Sequence, residues 1–266
     1  MLKGSMVAIA TPMHENGNLD HDSLEKLIEF HIKNKTDVII SVGTTGESAT
    51  LNFDEHSDVI RTTLSIVNKR IPVVAGSGAN STSEAIELTR KSKELGADAC
   101  LLVTPYYNKP TQNGLYYHYK KIADEVNIPQ ILYNVPGRTS VDMLPDTVYK
   151  LSNHPNIIGI KEASGDIERS KELLDKCSEN LSIFTGDDKT SMRDILLGFS
   201  GNISVTANVA PKAMHDMCLL SSQGKDKEAS TINTKLDLLH DNLFIESNPI
   251  PVKWALNRMG LIDKGI

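Results

Sequence analysis

Eight short apolar runs recur along the chain, at 5–11, 37–42, 72–78, 98–105, 129–134, 156–162, 181–186 and 201–206. Each is hydrophobic along its length rather than at alternate positions, the pattern of parallel strands buried on both faces. The stretches between them have helical periodicity. Leu24, Leu27, Ile28 and Ile32 share one face of a helix. Asn52 and Ser81 each stand three residues ahead of a glutamate, Glu55 and Glu84, as capping residues do. Gly96 after Leu95 marks a helix stop. Strands alternating with helices at a repeat of about 30 residues predict a (β/α)8 TIM barrel. An open doubly wound sheet is the alternative, but no G-x-G-x-x-G follows the first run. Beyond residue 206 the pattern is helical, at 208–222, 225–243 and 249–259. The expected organisation is one structural unit, with the barrel over 1–222 and a C-terminal helical segment over 223–266.

Composition narrows the class. The 266 residues carry a net charge of −6 with both signs mixed along the chain, and no basic patch that would suit nucleic acid. Cys100, Cys177 and Cys218 are far apart and have no C-x-x-C spacing, which fits a reducing compartment better than a disulfide framework or a zinc site. No secretory leader is legible, and no apolar run reaches the length of about 20 residues that spans a bilayer. A cytoplasmic protein that binds neither membrane nor nucleic acid is expected.

Barrels place chemistry at the C-terminal ends of their strands. Those ends carry Thr11 and Pro12; the run "GTTGE" (43–47); Asn80; Tyr106 and Tyr107; Tyr133, Asn134 and Arg138; Lys161 and Glu162; Gly186, Asp187 and Asp188; and Ile203 and Thr206. They form no cluster of metal-ligand character. Lys161 stands out as an ammonium in a strand that is otherwise dry. It could snorkel to solvent or pair with Glu162. Adjacent strand residues face opposite ways, however, so one of the two points into the barrel. A lysine held there is favoured in its neutral, nucleophilic form. Tyr133 could shuttle protons or simply cap the barrel. Tyr106 and Tyr107 could be ordinary aromatic packing. Arg138 suits bidentate capture of a carboxylate but also suits a surface salt bridge. "GTTGES" is rich in backbone N–H groups and hydroxyls without P-loop spacing, and reads as a carboxylate cradle.

Together, "SVGTTGESATL", "TPYYNKPTQNGLYYHYK", "YNVPGRT", "IIGIKEASGD", "TGDD", "GNISVTANVAP" and "NPIPVKWAL" resemble the dihydrodipicolinate synthase family, also called 4-hydroxy-tetrahydrodipicolinate synthases, of the pyruvate-dependent class I aldolases. The resemblance spans essentially the whole chain. It implies a lyase that condenses pyruvate with L-aspartate 4-semialdehyde through a Schiff base on Lys161, the first committed step of diaminopimelate and lysine biosynthesis. Tyr133, Thr44 and Tyr107 match the family's proton relay, the last reaching in from a neighbouring subunit of a homotetramer built as a dimer of dimers. Thr45 matches the position that binds the pyruvate carboxylate, Arg138 the one that takes the semialdehyde carboxylate, and Gly186 and Ile203 positions lining the pocket through their backbones. No metal or organic cofactor is implied. Lysine is the implied feedback inhibitor, at a cleft matching Ser48, Ala49, His56, Asn80, Glu84 and Tyr106. Phe53 replaces a histidine frequent in lysine-sensitive relatives. Relatives also usually run past "NPIPVKWAL" into a further helix, which this chain, ending at Ile266, is expected to lack. The competing readings are a related pyruvate lyase acting on another aldehyde, which Arg138 opposes, and a truncated barrel with a binding role.

Overall fold

A computed structural model describes residues 2–265. Eight parallel strands close into a barrel in chain order, β1 (Gly4–Ala8), β2 (Val38–Ser41), β3 (Val73–Gly76), β4 (Ala99–Val103), β5 (Gln130–Asn134), β6 (Ile157–Glu162), β7 (Ser182–Thr185) and β8 (Gly201–Ser204), with β8 paired to β1. The (β/α)8 expectation holds. Six of the eight strands end before their apolar runs do, because the run bends out of the ladder: Thr11, for example, turns its hydroxyl to the Gly46 carbonyl at 2.8 Å.

The intervening helices are α1 (His21–Lys33), α2 (Phe53–Val67), α3 (Thr82–Leu95), α4 (Gln112–Glu125), the short α5 (Pro136–Thr139), α6 (Pro145–Leu151), α7 (Ile167–Cys177), α8 (Ser191–Leu197) and α9 (Pro211–Ser222). Asn52 starts α2 with a complete capping box: its side chain accepts from the Glu55 N–H, and the Glu55 carboxylate accepts from the Asn52 N–H. At α3 the Ser81 hydroxyl accepts from the Glu84 N–H at 3.5 Å, and Gly96 ends the helix at φ +97°. The helix expected from residue 208 starts at Pro211, after a 3₁₀ turn at Thr206–Asn208; proline fits the first helical turn, where its missing N–H costs nothing. Two further helices, α10 (Asp226–Asn242) and α11 (Ile250–Arg258), follow.

Side chains sort by strand parity. Met6, Ala8, Val38, Ile40, Ile131 and Tyr133 pack inside the barrel, while Val7, Ile9, Ile39 and Leu132 pack against the helices. Asn208 closes the seam between chain ends, accepting from the Ala10 N–H at 3.0 Å and donating to the Ala8 carbonyl at 2.8 Å. No helix among the described residues is long and apolar enough to cross a membrane.

Candidate active site

A cavity of about 310 Å³ opens at the C-terminal ends of the strands. Its lining includes Lys161, Tyr133, Thr44, Thr45, Arg138 and Gly186, six residues singled out from the sequence. Lys161 is 5% exposed, and its Nζ lies 4.2 Å from the centroid of the Tyr133 ring. The two residues are direct partners across β5 and β6. That pairing depends on an irregularity. Gln130 pairs with Ile157 but Ile131 pairs with Gly159, so β6 carries one extra residue, Ile158. The bulge puts Ile157 and Ile160, three positions apart, on the helix-facing side and turns Lys161 inward.

Glu162, next to Lys161, faces the other way. Its carboxylate accepts from Asn134 Nδ2 at 3.0 Å and from the Ser164 N–H at 2.8 Å, and lies 3.7 Å from Arg169. Burial raises its pKa above the usual glutamate value, against the pull of those donors. Asn134 also donates to Asp142 at 2.9 Å, and Arg169 holds Asp142 through two hydrogen bonds, which keeps that carboxyl below its usual range. The outer faces of β5 and β6 are thus tied directly behind Tyr133 and Lys161. On the adjoining strands, Asp188 accepts from Asn202 Nδ2 and from the Val205 and Thr206 N–H groups at 2.7–2.9 Å, fixing the end of β8 against β7.

Gly186 is required by contact. A Cβ there would stand 2.5 Å from Lys161 Cε and 2.8 Å from Ala163 Cβ. Arg138, on α5, donates from Nη2 to the Asn248 carbonyl at 3.1 Å. Two expected residues lie elsewhere. Ile203 packs in the inner cluster with Tyr133 and Phe184 and is not in the cavity lining. Tyr107 is 90% exposed with φ +74°.

The residues matched to a lysine cleft sit around the loops after β2, β3 and β4, outside this cavity. Asn80 donates to the Tyr106 carbonyl at 3.2 Å. Burial, then the Glu84 carboxylate, raises the half-buried Tyr106 phenol. His56 is buried and pushed down to about 4 by desolvation. Ser48 is half-buried, Ala49 and Glu84 are exposed, and Phe53 is 39% exposed at the start of α2.

Sequence reasoning missed the contribution of the C-terminal segment. His240, Asp241, Phe244 and Asn248 all line the cavity. Asp187, noted at a strand end without a role, lines it too, its carboxyl raised by burial. The motif "NPIPVKWAL" carried the only available signal, as a resemblance without a contact to assign. Among the described residues no cluster of His, Cys, Asp and Glu is arranged to hold a metal ion.

The model of the dihydrodipicolinate synthetase family matches residues 1–265. This chain belongs to that family. Its members are aldolase-type lyases, and the chain is an enzyme of that class. A 4-hydroxy-tetrahydrodipicolinate synthase of Stutzerimonas stutzeri (strain A1501) is 61% identical over 266 residues, which are the whole of this chain and 91% of that protein. The crystal structure of a chloride-inhibited dihydrodipicolinate synthase from Acinetobacter baumannii, complexed with pyruvate, superposes with a TM-score of 0.99 at 57% identity, covering 100% of this chain and 91% of that one. The enzyme from Cyanidioschyzon merolae, solved with lysine bound, gives a TM-score of 0.94 at 38% identity, covering 97% and 89%.

Proposed function

We propose that the chain condenses pyruvate with L-aspartate 4-semialdehyde to form 4-hydroxy-tetrahydrodipicolinate, with Lys161 as nucleophile. The observation that carries this reading is a buried lysine amine beside a tyrosine ring, in a cavity that also holds two threonine hydroxyls and a guanidinium. The Lys161 amine adds to C2 of pyruvate, and loss of water leaves the imine. Removal of a C3 proton gives the enamine, whose C3 bonds to the aldehyde carbon of the semialdehyde. The aldehyde oxygen takes a proton from Tyr133, whose ring lies against the amine. The substrate's own amino group then attacks C2, closes the ring and releases Lys161. Thr45 holds the pyruvate carboxylate, Thr44 hydrogen-bonds the relay, and Arg138 receives the semialdehyde carboxylate bidentately. Gly186 clears space for the lysine, and Ile203 supports the floor through packing. The lysine supplies the electron sink, so no metal or organic cofactor is required.

The pyruvate complex of the Acinetobacter baumannii relative, 57% identical, supports the first substrate. Incubation with pyruvate and borohydride is expected to give a reduced pyruvyl adduct on Lys161 by peptide mass spectrometry. A folded protein that forms no adduct rejects the mechanism. Turnover with L-aspartate 4-semialdehyde then separates this reading from a related lyase using another aldehyde.

Lysine is proposed as inhibitor at Ser48, Ala49, His56, Asn80, Glu84 and Tyr106, a reading supported by the lysine-bound relative. The proposed cleft lies between two copies of the chain in a homotetramer. Activity that stays flat across millimolar lysine rejects it.

A further inference from the structure

The loop after β2 is the most strained stretch at the cavity. Val42 and Glu47, which bracket Thr44 and Thr45, have φ of +48° and +60°. A β-branched residue in the left-handed region is a genuine outlier, and such conformations persist only where the surroundings over-determine them. Several contacts do so. Thr11 donates to the Gly46 carbonyl at 2.8 Å. A Cβ on Gly76 would fall 2.2 Å from the Val42 carbonyl oxygen, so β3 passes too close for any side chain there.

The remaining restraints come from the far end of the chain. Asn248 Nδ2 donates to Thr45 Oγ1 at 3.0 Å across 203 residues of sequence. Lys253, on α11, donates to Glu47 Oε1 at 2.6 Å across 206 residues. The Lys253 side chain is wholly buried. A buried ammonium costs much of what its partner returns, and a hydrophobic residue of similar volume generally stabilises a fold at least as well. The best-attested use of such a pair is to fix one geometry among several.

We propose that segment 248–253 is a clamp on the substrate-binding loop, with Lys253 as a positioning residue that acts through Glu47 to hold Thr44 and Thr45 in place. The inference rests on the reading of Lys161 as nucleophile and of Thr45 as the contact for the pyruvate carboxylate. It assigns the C-terminal helices a part in pyruvate binding, although Lys253 itself is remote from the reacting atoms.

The test is borohydride trapping over a range of pyruvate concentrations, read as the fraction of adduct by intact mass, beside thermal melting. In Lys253→Met/Glu47→Gln both charges are gone, so no orphan ion is left buried. The pyruvate concentration for half-maximal trapping is expected to rise about tenfold, as for a modest misplacement of a binding group, while melting stays close to the parent's. Glu47→Asn is the second variant: asparagine tolerates φ +60° but is too short to reach Lys253. It is expected to show the same rise. A clamp that serves stability alone would lower the melting temperature and leave half-saturation unmoved, and that result in either folded variant overturns the proposal. Absence of any adduct in the parent protein would instead strike the Schiff-base reading.

Discussion

Two tyrosines assigned to one proton relay are held in opposite ways. Tyr133 lies within β5, is 6% exposed, pairs with Val103 on one side and Lys161 on the other, and is backed by the tie between Asn134 and Glu162. Tyr107 lies beyond the end of β4, is 90% exposed, and has a backbone in the left-handed region. The first is placed by strand register, the strongest constraint a parallel barrel offers. The second is presented outward at a cost in backbone strain, which a bulky residue does not accept without a reason elsewhere. The proposed nucleophile and its proposed acid are therefore set within one chain, whereas the residue proposed as the outer member of the relay is held at the surface.

The sharpest way to break the strand-held half is Gly186→Ala. The new methyl would overlap Lys161 Cε, and the backbone cannot draw back because the Gly186 N–H donates to the Glu162 carbonyl at 2.7 Å. The lysine has to give way. With the amine displaced by about an ångström, kcat/KM is expected to fall about a hundredfold, with the barrel's circular dichroism unchanged and slower pyruvate trapping. Parental kinetics would mean that register does not set the position of the amine.

How far this half could be read from sequence depends on range. The eight strands and their order follow from continuous apolar runs, and the Asn52–Glu55 capping box from a spacing of three residues. Strand ends were overestimated because apolar residues continue into the loops that shape the cavity: the run at 5–11 leaves the strand after Ala8. Which of Lys161 and Glu162 faces inward was undecidable, since one inserted residue, Ile158, flips the parity of everything after it and leaves no mark in composition. Asn248 and Lys253 escaped notice for a different reason. Their partners are Thr45 and Glu47, some two hundred positions away, and no local pattern encodes a contact of that span. Ile203, matched by resemblance to a backbone position at the pocket, has its side chain in the inner cluster with Tyr133 and Phe184.

The loop-held half gives the smaller effect and the more telling experiment. Tyr107→Phe removes one hydroxyl from a side chain whose ring is already in water, so the isolated chain's fold and stability should hardly change. If the phenol completes the relay in a neighbouring copy, activity is expected to drop about tenfold, below the range for loss of a primary acid or base. The same arrangement makes a prediction that a simple loss of activity does not. A copy carrying Lys161→Ala cannot form the imine but still offers its Tyr107, and a copy carrying Tyr107→Phe keeps its lysine. Mixed and reassembled, the two should regain activity above the average of the separate variants, because a pair of unlike copies holds one complete site. Activity of the mixture equal to that average would rule out a relay completed by a neighbouring copy, and the exposed, left-handed backbone of Tyr107 would then need another explanation.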